Sequence, residues 1–249
     1  MKKILTFLIL ISLTSQGLAD TFKNTARYIA EEGAWPYIIN DATGIYGVLP
    51  DSVYAIMASA GVEVYAQTAP NLRKISELFK QKADIATILL GYKDIAKSDY
   101  PPSMHLCPEP ILMVDVHAVW HPDSNIDPHK TYNLDNFKVG VVKVSPKDLV
   151  THRKDKRIEF INIELMVKNL LAKRVDAILM NGRHAQALAK RLGAKQDVVP
   201  GQRVLTMPIH LIVGKHWLNQ TAALDHLCGQ IVELKKNNTF TTIEDSYFQ

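Results

Sequence analysis

Twice along this chain, apolar runs of strand length alternate with amphipathic stretches of helical period, and few folds satisfy that order. In the first round, residues 26–31 read as a strand, followed by a turn through Gly33, Pro36 and Gly44. Pro50-Asp51 then opens a helix that keeps Val53, Ile56, Met57 and Ala60 on one face and stops at Gly61. Residues 62–66 alternate as a strand. Pro70 opens a second helix through Leu72, Ile75, Leu78 and Phe79, and 84–90 returns as an apolar strand. The second round predicts strands at 138–144, 160–163 and 175–180 and helices at 164–173 and 182–192. A long apolar strand over 204–213 and a helix over 219–236 complete it. Such β-α-β order places helices over parallel strands, because parallel neighbours need a crossover that packs back on the sheet. Two α/β units, joined by one crossing strand at 110–120 and a return at 204–211, are the expected architecture.

Residues 1–19 join Lys2 and Lys3 to the apolar run 4–13 and the small-residue exit Gly17-Leu18-Ala19, the pattern of a cleaved export signal. About ten apolar residues are too few to span a bilayer core, which needs about 20. A periplasmic location without a membrane anchor is therefore expected. The remaining 230 or so of the 249 residues can bury one large core or two smaller ones. Without the two lysines of that segment the formal charge falls from +4 to +2, too little to mark nucleic acid as a partner. The basic run His152-Arg153-Lys154-Asp155-Lys156-Arg157 reads as a solvated loop edge. Cys107 and Cys228 have no metal-ligand spacing, and in an oxidising compartment they either pair or stay as buried thiols.

Several short stretches then carry a likeness. Gly33-Ala34-Trp35-Pro36-Tyr37 with Gly44-Ile45-Tyr46-Gly47, then Pro70-Asn71-Leu72-Arg73, then Gln81-Lys82-Ala83-Asp84-Ile85 follow in order. Lys138-Val139-Gly140-Val141-Val142 and Ala172-Lys173-Arg174-Val175-Asp176-Ala177 come after them. Together they resemble the "PPy…G…G", "PWxRa", "GkaDi", "kvGvv" and "l..grvDA" segments of bacterial extracellular solute-binding proteins of the polar amino acid type, family 3. The resemblance implies a two-lobed periplasmic-binding-protein fold of type II. Residues 20–114 and 206–249 would form lobe 1, with 115–205 inserted as lobe 2 and two hinge strands between them. A small-molecule ligand would be enclosed at the lobe boundary by hinge closure. Delivery to an ABC-type membrane permease follows from the same likeness, with docking onto a membrane sensor receptor as the alternative. A monomer is expected.

Tyr37 matches the family's pocket aromatic, and Trp35 lies beside it in the same loop; both rings could instead cap the first lobe's core. Arg73 could take a carboxylate bidentately or stand exposed on its helix. Ser145, ahead of Pro146, has the chemistry of an N-cap at a position where the family often contacts ligand. Two departures bear on the ligand. Leu90-Gly91-Tyr92-Lys93-Asp94-Ile95-Ala96 replaces the "TxeR" segment whose arginine holds an α-carboxylate, leaving Tyr92 or Lys93 in that space. Asn181 stands where the family has an acid for the α-ammonium, and an amide cannot neutralise a cation. A standard free amino acid is thus a poor fit, and a less zwitterionic polar or aromatic molecule a better one.

No GxSxG, P-loop, HExxH or GxGxxG motif occurs. His117 and His121 are four residues apart, but on a strand that spans about 13 Å, so no metal or cofactor is expected. Some relatives of this fold are lyases or dehydratases using a cleft glutamate, and Glu109 is the acid placed to be compared with theirs. Its ordinary reading is a solvated turn carboxylate, and no enzyme is expected.

Overall fold

The computed structural model describes residues 24–31, 35–70, 80–89, 103–142, 154–218 and 221–248. The expected export signal, the helix following Pro70, Arg73, Tyr92 and the Ser145-Pro146 pair lie outside these residues.

The first unit opens with β1 (Thr25–Glu31), a hairpin of β2 (Ile39–Asp41) and β3 (Gly44–Tyr46), helix α1 (Val48–Ser59), then β4 (Glu63–Ala69) and β5 (Ile85–Leu89). A short β6 (Met104–Leu106) and the long β7 (Leu112–Trp120) lead into the second unit. There β8 (Val139–Val142), β9 (Arg157–Phe160), α2 (Ile163–Leu171), β10 (Ala177–Met180) and α3 (Gly182–Arg191) follow in turn. The 16-residue β11 (Val199–Gly214) returns, and α4 (Thr221–Lys236) and α5 (Thr239–Tyr247) come after it.

The strands lie in the order β4-β1-β5-β11-β7-β10-β8-β9, with β6 also pairing β11. β1 runs parallel to β4 and β5, and β8 runs parallel to β9 and β10. The antiparallel pairings of these two groups are those made through β7 and β11. The expected α/β architecture of two mainly parallel groups joined by two long strands is therefore present.

Central strands are buried on both faces, which is why they read as continuous apolar runs. Tyr28 and Ala30 face one core with Val53, Ile56 and Trp217, while Ile29 faces another with Ala86 and Ile212. In the second unit Ile178 and Met180 join the core under α2 and α3, and Ala177 and Leu179 join one with Trp120 and Val141 on the opposite face. Cys107 and Cys228 are disulfide-bonded with Cα atoms 5.3 Å apart, tying the turn after β6 to α4.

Besides the short strands β2, β3 and β6, which were not expected, the structure departs from the expectation in these details. The strand expected at 160–163 lies at Arg157–Phe160, and Ile163 is already helical. Asn162 decides this, since its side chain accepts from Leu165 N at 2.8 Å and caps α2. The return strand begins at Val199, five residues early, and α5 was not expected at all.

Candidate functional site

In open α/β sheets, ligand sites lie outside the carboxyl ends of the strands. Here the chain leaving β1 and the chain leaving β10 come together. Loop 35–37 follows β1, and Asn181 with α3 follows β10.

Loop 35–37 is fixed by α1. The carbonyl oxygens of Pro36 and Tyr37 accept from Val48 N at 3.3 Å and Leu49 N at 3.0 Å, satisfying amides of the helix's first turn. Gly47 makes this approach possible. It sits at φ 120°, and a Cβ there would lie 2.8 Å from Pro36 O and 2.9 Å from Tyr37 O. The glycine in the family-like Gly44–Gly47 stretch thus has a local physical reason.

Tyr37 is 6% exposed and belongs to the first unit's core. Its ring meets His184 of α3 edge-on at 5.3 Å and Phe248 at 5.8 Å, and its hydroxyl donates to Glu244 Oε1 at 3.3 Å. Trp35 packs instead against the core beneath α3, with the Arg191 guanidinium 4.8 Å from its ring centre. One loop therefore sets Tyr37 in the first unit's core and lays Trp35 against the second unit's.

Asn181 is the N-cap of α3, its Oδ1 accepting from His184 N at 3.0 Å. Its Nδ2 donates to the Asp115 carbonyl on β7 at 3.2 Å. Both ends of the amide are committed to the fold. Beside it Gly182 presses on β11, where a Cβ would lie 2.8 Å from Pro200 Cβ. Asp115 accepts from Thr206 Oγ1 and has Arg203 Nη1 at 3.5 Å. This charged cluster on the strand pair was not singled out from the sequence, because Asp115 and Arg203 are far apart along the chain.

Burial pushes the His184 imidazole down to about 4, against a hydrogen bond with the Trp35 backbone that raises it. Burial also pushes the Tyr37 hydroxyl and the half-buried Glu244 carboxyl upward. Burial at the seam thus disfavours the charged forms of these three groups, and Arg183 and Asp245 stand beside them as an ion pair at 2.9 Å.

Of the six residues expected at a ligand site, Trp35, Tyr37 and Asn181 meet at this seam, and Arg73, Tyr92 and Ser145 lie outside the described residues. Glu109 is elsewhere, paired with Lys235 of α4 beside the disulfide. A separate surface depression of about 340 Å³ is lined by Trp120, His121, Phe137, Lys173 and Asp176. It sits at the amino end of β10, opposite from Asn181. Among the described residues no group of three or more His, Cys, Asp or Glu side chains could hold a metal ion.

No family model matches the chain, and no curated protein matches it in sequence. Its backbone is similar to that of the Bordetella pertussis BvgS periplasmic VFT2 domain, with a TM-score of 0.72 and 13% identity over 95% of this chain and 97% of that one. It is also similar to the substrate-binding protein of an amino acid ABC transporter, with a TM-score of 0.67 and 16% identity over 90% and 99%. A histidine kinase sensor domain with similarity to periplasmic binding proteins gives a TM-score of 0.67 and 15% identity over 90% and 95%. The fold is that of the periplasmic binding proteins, the two-unit Venus-flytrap architecture. At these identities the likeness is one of fold.

Proposed function

We propose that the protein is a periplasmic solute-binding protein that captures a small polar molecule between its two α/β units by hinge closure, for a membrane transporter. The observation that carries this reading is the meeting of loop 35–37 with the amino end of α3, outside the carboxyl ends of β1 and β10. The binding surface in this reading comprises Trp35, Tyr37 and Asn181 with Arg73, Tyr92 and Ser145, and the lobes are 20–114 with 206–249, and 115–205. The ligand is not a standard free amino acid. Asn181 spends its amide on a helix cap and a strand carbonyl, and an amide cannot neutralise an ammonium as an acid at that position would.

Thermal-shift screening of the purified protein tests this, because a ligand bound by the native state raises the melting midpoint by mass action. Dicarboxylates, aromatic acids, peptides, polyamines and amino acids form the panel. Dicarboxylates or aromatic acids should give the largest shifts, and a panel without any shift overturns the reading. Arg73→Ala should then weaken the hit by about 1 kcal/mol or more in calorimetry; unchanged affinity would move the site away from Arg73.

A sensing module is the second reading, supported by a likeness to a histidine kinase sensor domain equal to that for the transporter protein. Crosslinking in intact cells separates the two by the membrane partner recovered. Among the described residues no helix is long and apolar enough to cross a membrane. Export rests on residues 1–19, and sequencing the amino end of the periplasmic fraction should find Asp20 first.

A further inference from the structure

Helix α5 belongs by packing to the first unit, where Phe240 joins the core with Val53 and Ile56, and Tyr247 hydroxyl donates to Asp51 Oδ2 at 2.6 Å. Its carboxyl end reaches further, to α3 of the second unit. There Arg183 Nη2 donates to Asp245 Oδ1 at 2.9 Å, and the Arg183 guanidinium lies 4.9 Å from the centre of the Phe248 ring. Phe248 in turn packs edge-on against Tyr37, which bonds Glu244 and touches His184.

The charges at this contact are misplaced for their own helices. Arg183 occupies the first turn of α3 and Asp245 the last turn of α5. Helix dipoles disfavour a cation at an amino end and an anion at a carboxyl end. Neither residue helps its own helix. Each makes sense as the partner of the other, where the negative end of α5 meets the positive end of α3.

We propose that α5 and Phe248 form a strap between the two α/β units, holding them closed at the seam through the Arg183–Asp245 pair with Tyr37 as its inner contact. The strap biases the open–closed equilibrium toward the closed form before ligand arrives, and so sets how much of the ligand's differential affinity is needed for closure. The inference rests on the hinged reading given above.

Charge reversal without added ligand tests it. If Arg183 served α3 alone, Arg183→Glu would be neutral or slightly stabilising, because the acid suits the helix amino end. A strap predicts the opposite: a larger radius of gyration in small-angle scattering and a lower melting midpoint, as two acids face each other. The double variant Arg183→Glu/Asp245→Arg should return both values to those of the wild type or beyond, since each charge then also agrees with its own helix dipole. Phe248→Ala, which leaves both charges in place, should expand the particle part of the way. An Arg183→Glu scattering curve superimposable on the wild type overturns the proposal, as does a double variant no more compact than the single one. These outcomes are independent of the ligand screen, so a failed strap leaves the binding result standing, and a panel without hits leaves the scattering result standing.

Discussion

At the scale of single residues, two buried titratable groups set separate acid responses. Asp84 is 4% exposed and accepts from Arg27 N at 2.8 Å, Arg27 Nε at 2.9 Å and Arg27 Nη2 at 2.8 Å, with His216 Nε2 at 3.0 Å. Burial alone would raise its carboxyl, but the Arg27 bonds, with help from His216, outweigh that and hold it below the ordinary 3.8. A depressed carboxylate contributes stability above its unfolded value and loses it as pH falls through the folded one. Asp84→Asn should therefore cost about 1–2 kcal/mol at pH 7, discounted because Arg27 is half-exposed. In urea titrations it should also show a shallower loss of stability below pH 4 than the wild type; an equally steep loss would assign acid sensitivity elsewhere. His184 acts in a higher window. With its imidazole pushed from 6.5 to about 4, the unfolded chain holds more protons between those values. Stability then falls as pH drops through that range, by up to ~3 kcal/mol. Melting midpoints of His184→Gln should be flatter than wild type from pH 6.5 to 4. The sequence marked Asp84 as the start of a strand and as the acid of the "GkaDi"-like segment, but not its two partners, which lie 57 and 132 positions away. His184 was unremarkable on the face of a predicted helix, because nothing local shows that a loop 150 residues earlier covers it.

At the scale of elements, what was legible in the sequence is what local pattern controls. Helix α1, β7, β10 and α3 fall within a few residues of expectation, because their apolar spacing and terminal residues answer to one period each. The hairpin β2–β3 was hidden in a stretch read as a turn, as three-residue strands carry too little alternation to register. Helix α5 was missed for a related reason. Its amino end follows Asn238 at φ 56° with no side-chain cap bond, and one apolar residue, Phe240, is fully buried. Gly47 links elements directly, since its missing Cβ lets loop 35–37 cap α1. Gly47→Ala should cost about 2 kcal/mol or more in denaturant unfolding, from strain at φ 120° and the clash with two carbonyl oxygens. A loss below about half a kcal/mol would mean the loop can withdraw freely. The disulfide is the other link. The sequence left Cys107 and Cys228 open because whether a turn packs on a helix 121 residues later is a tertiary fact. Replacing both with alanine should lower stability by about 2–5 kcal/mol, the range for a cross-link closing a loop of this size. Ligand shifts should survive the replacement, since the bridge lies among core residues of the first unit, away from α3.

At the scale of the whole molecule, alternating strand and helix signals specified two α/β units, and the apolar runs at 110–120 and 204–211 specified what joins them, the strands themselves being Leu112–Trp120 and Val199–Gly214. How the units lean on each other was not legible: Trp35, Tyr37 and Asn181 stood out singly, but nothing in the sequence joined them to His184, Arg191 or the stretch 244–248 that completes the seam. The three tryptophans divide along the same lines and can report the difference. Trp217 is fully buried with Nε1 donating to Thr25 O at 2.9 Å, and Trp120 is 1% exposed among Tyr132 and Phe137. Trp35 is the one held at the seam, half-buried under Arg191. Core indoles reach solvent only through unfolding of their unit, whereas a seam indole responds to small changes in lobe spacing. Acrylamide quenching of the native protein should therefore be dominated by Trp35. A ligand that closes the units should lower the quenchable fraction in step with its thermal shift. Arg183→Glu, if it loosens the seam, should raise that fraction with no change in far-ultraviolet dichroism. A ligand that stabilises the protein yet leaves quenching unchanged would show that it binds without moving this seam, and that closure occurs elsewhere along the β7–β11 ribbon.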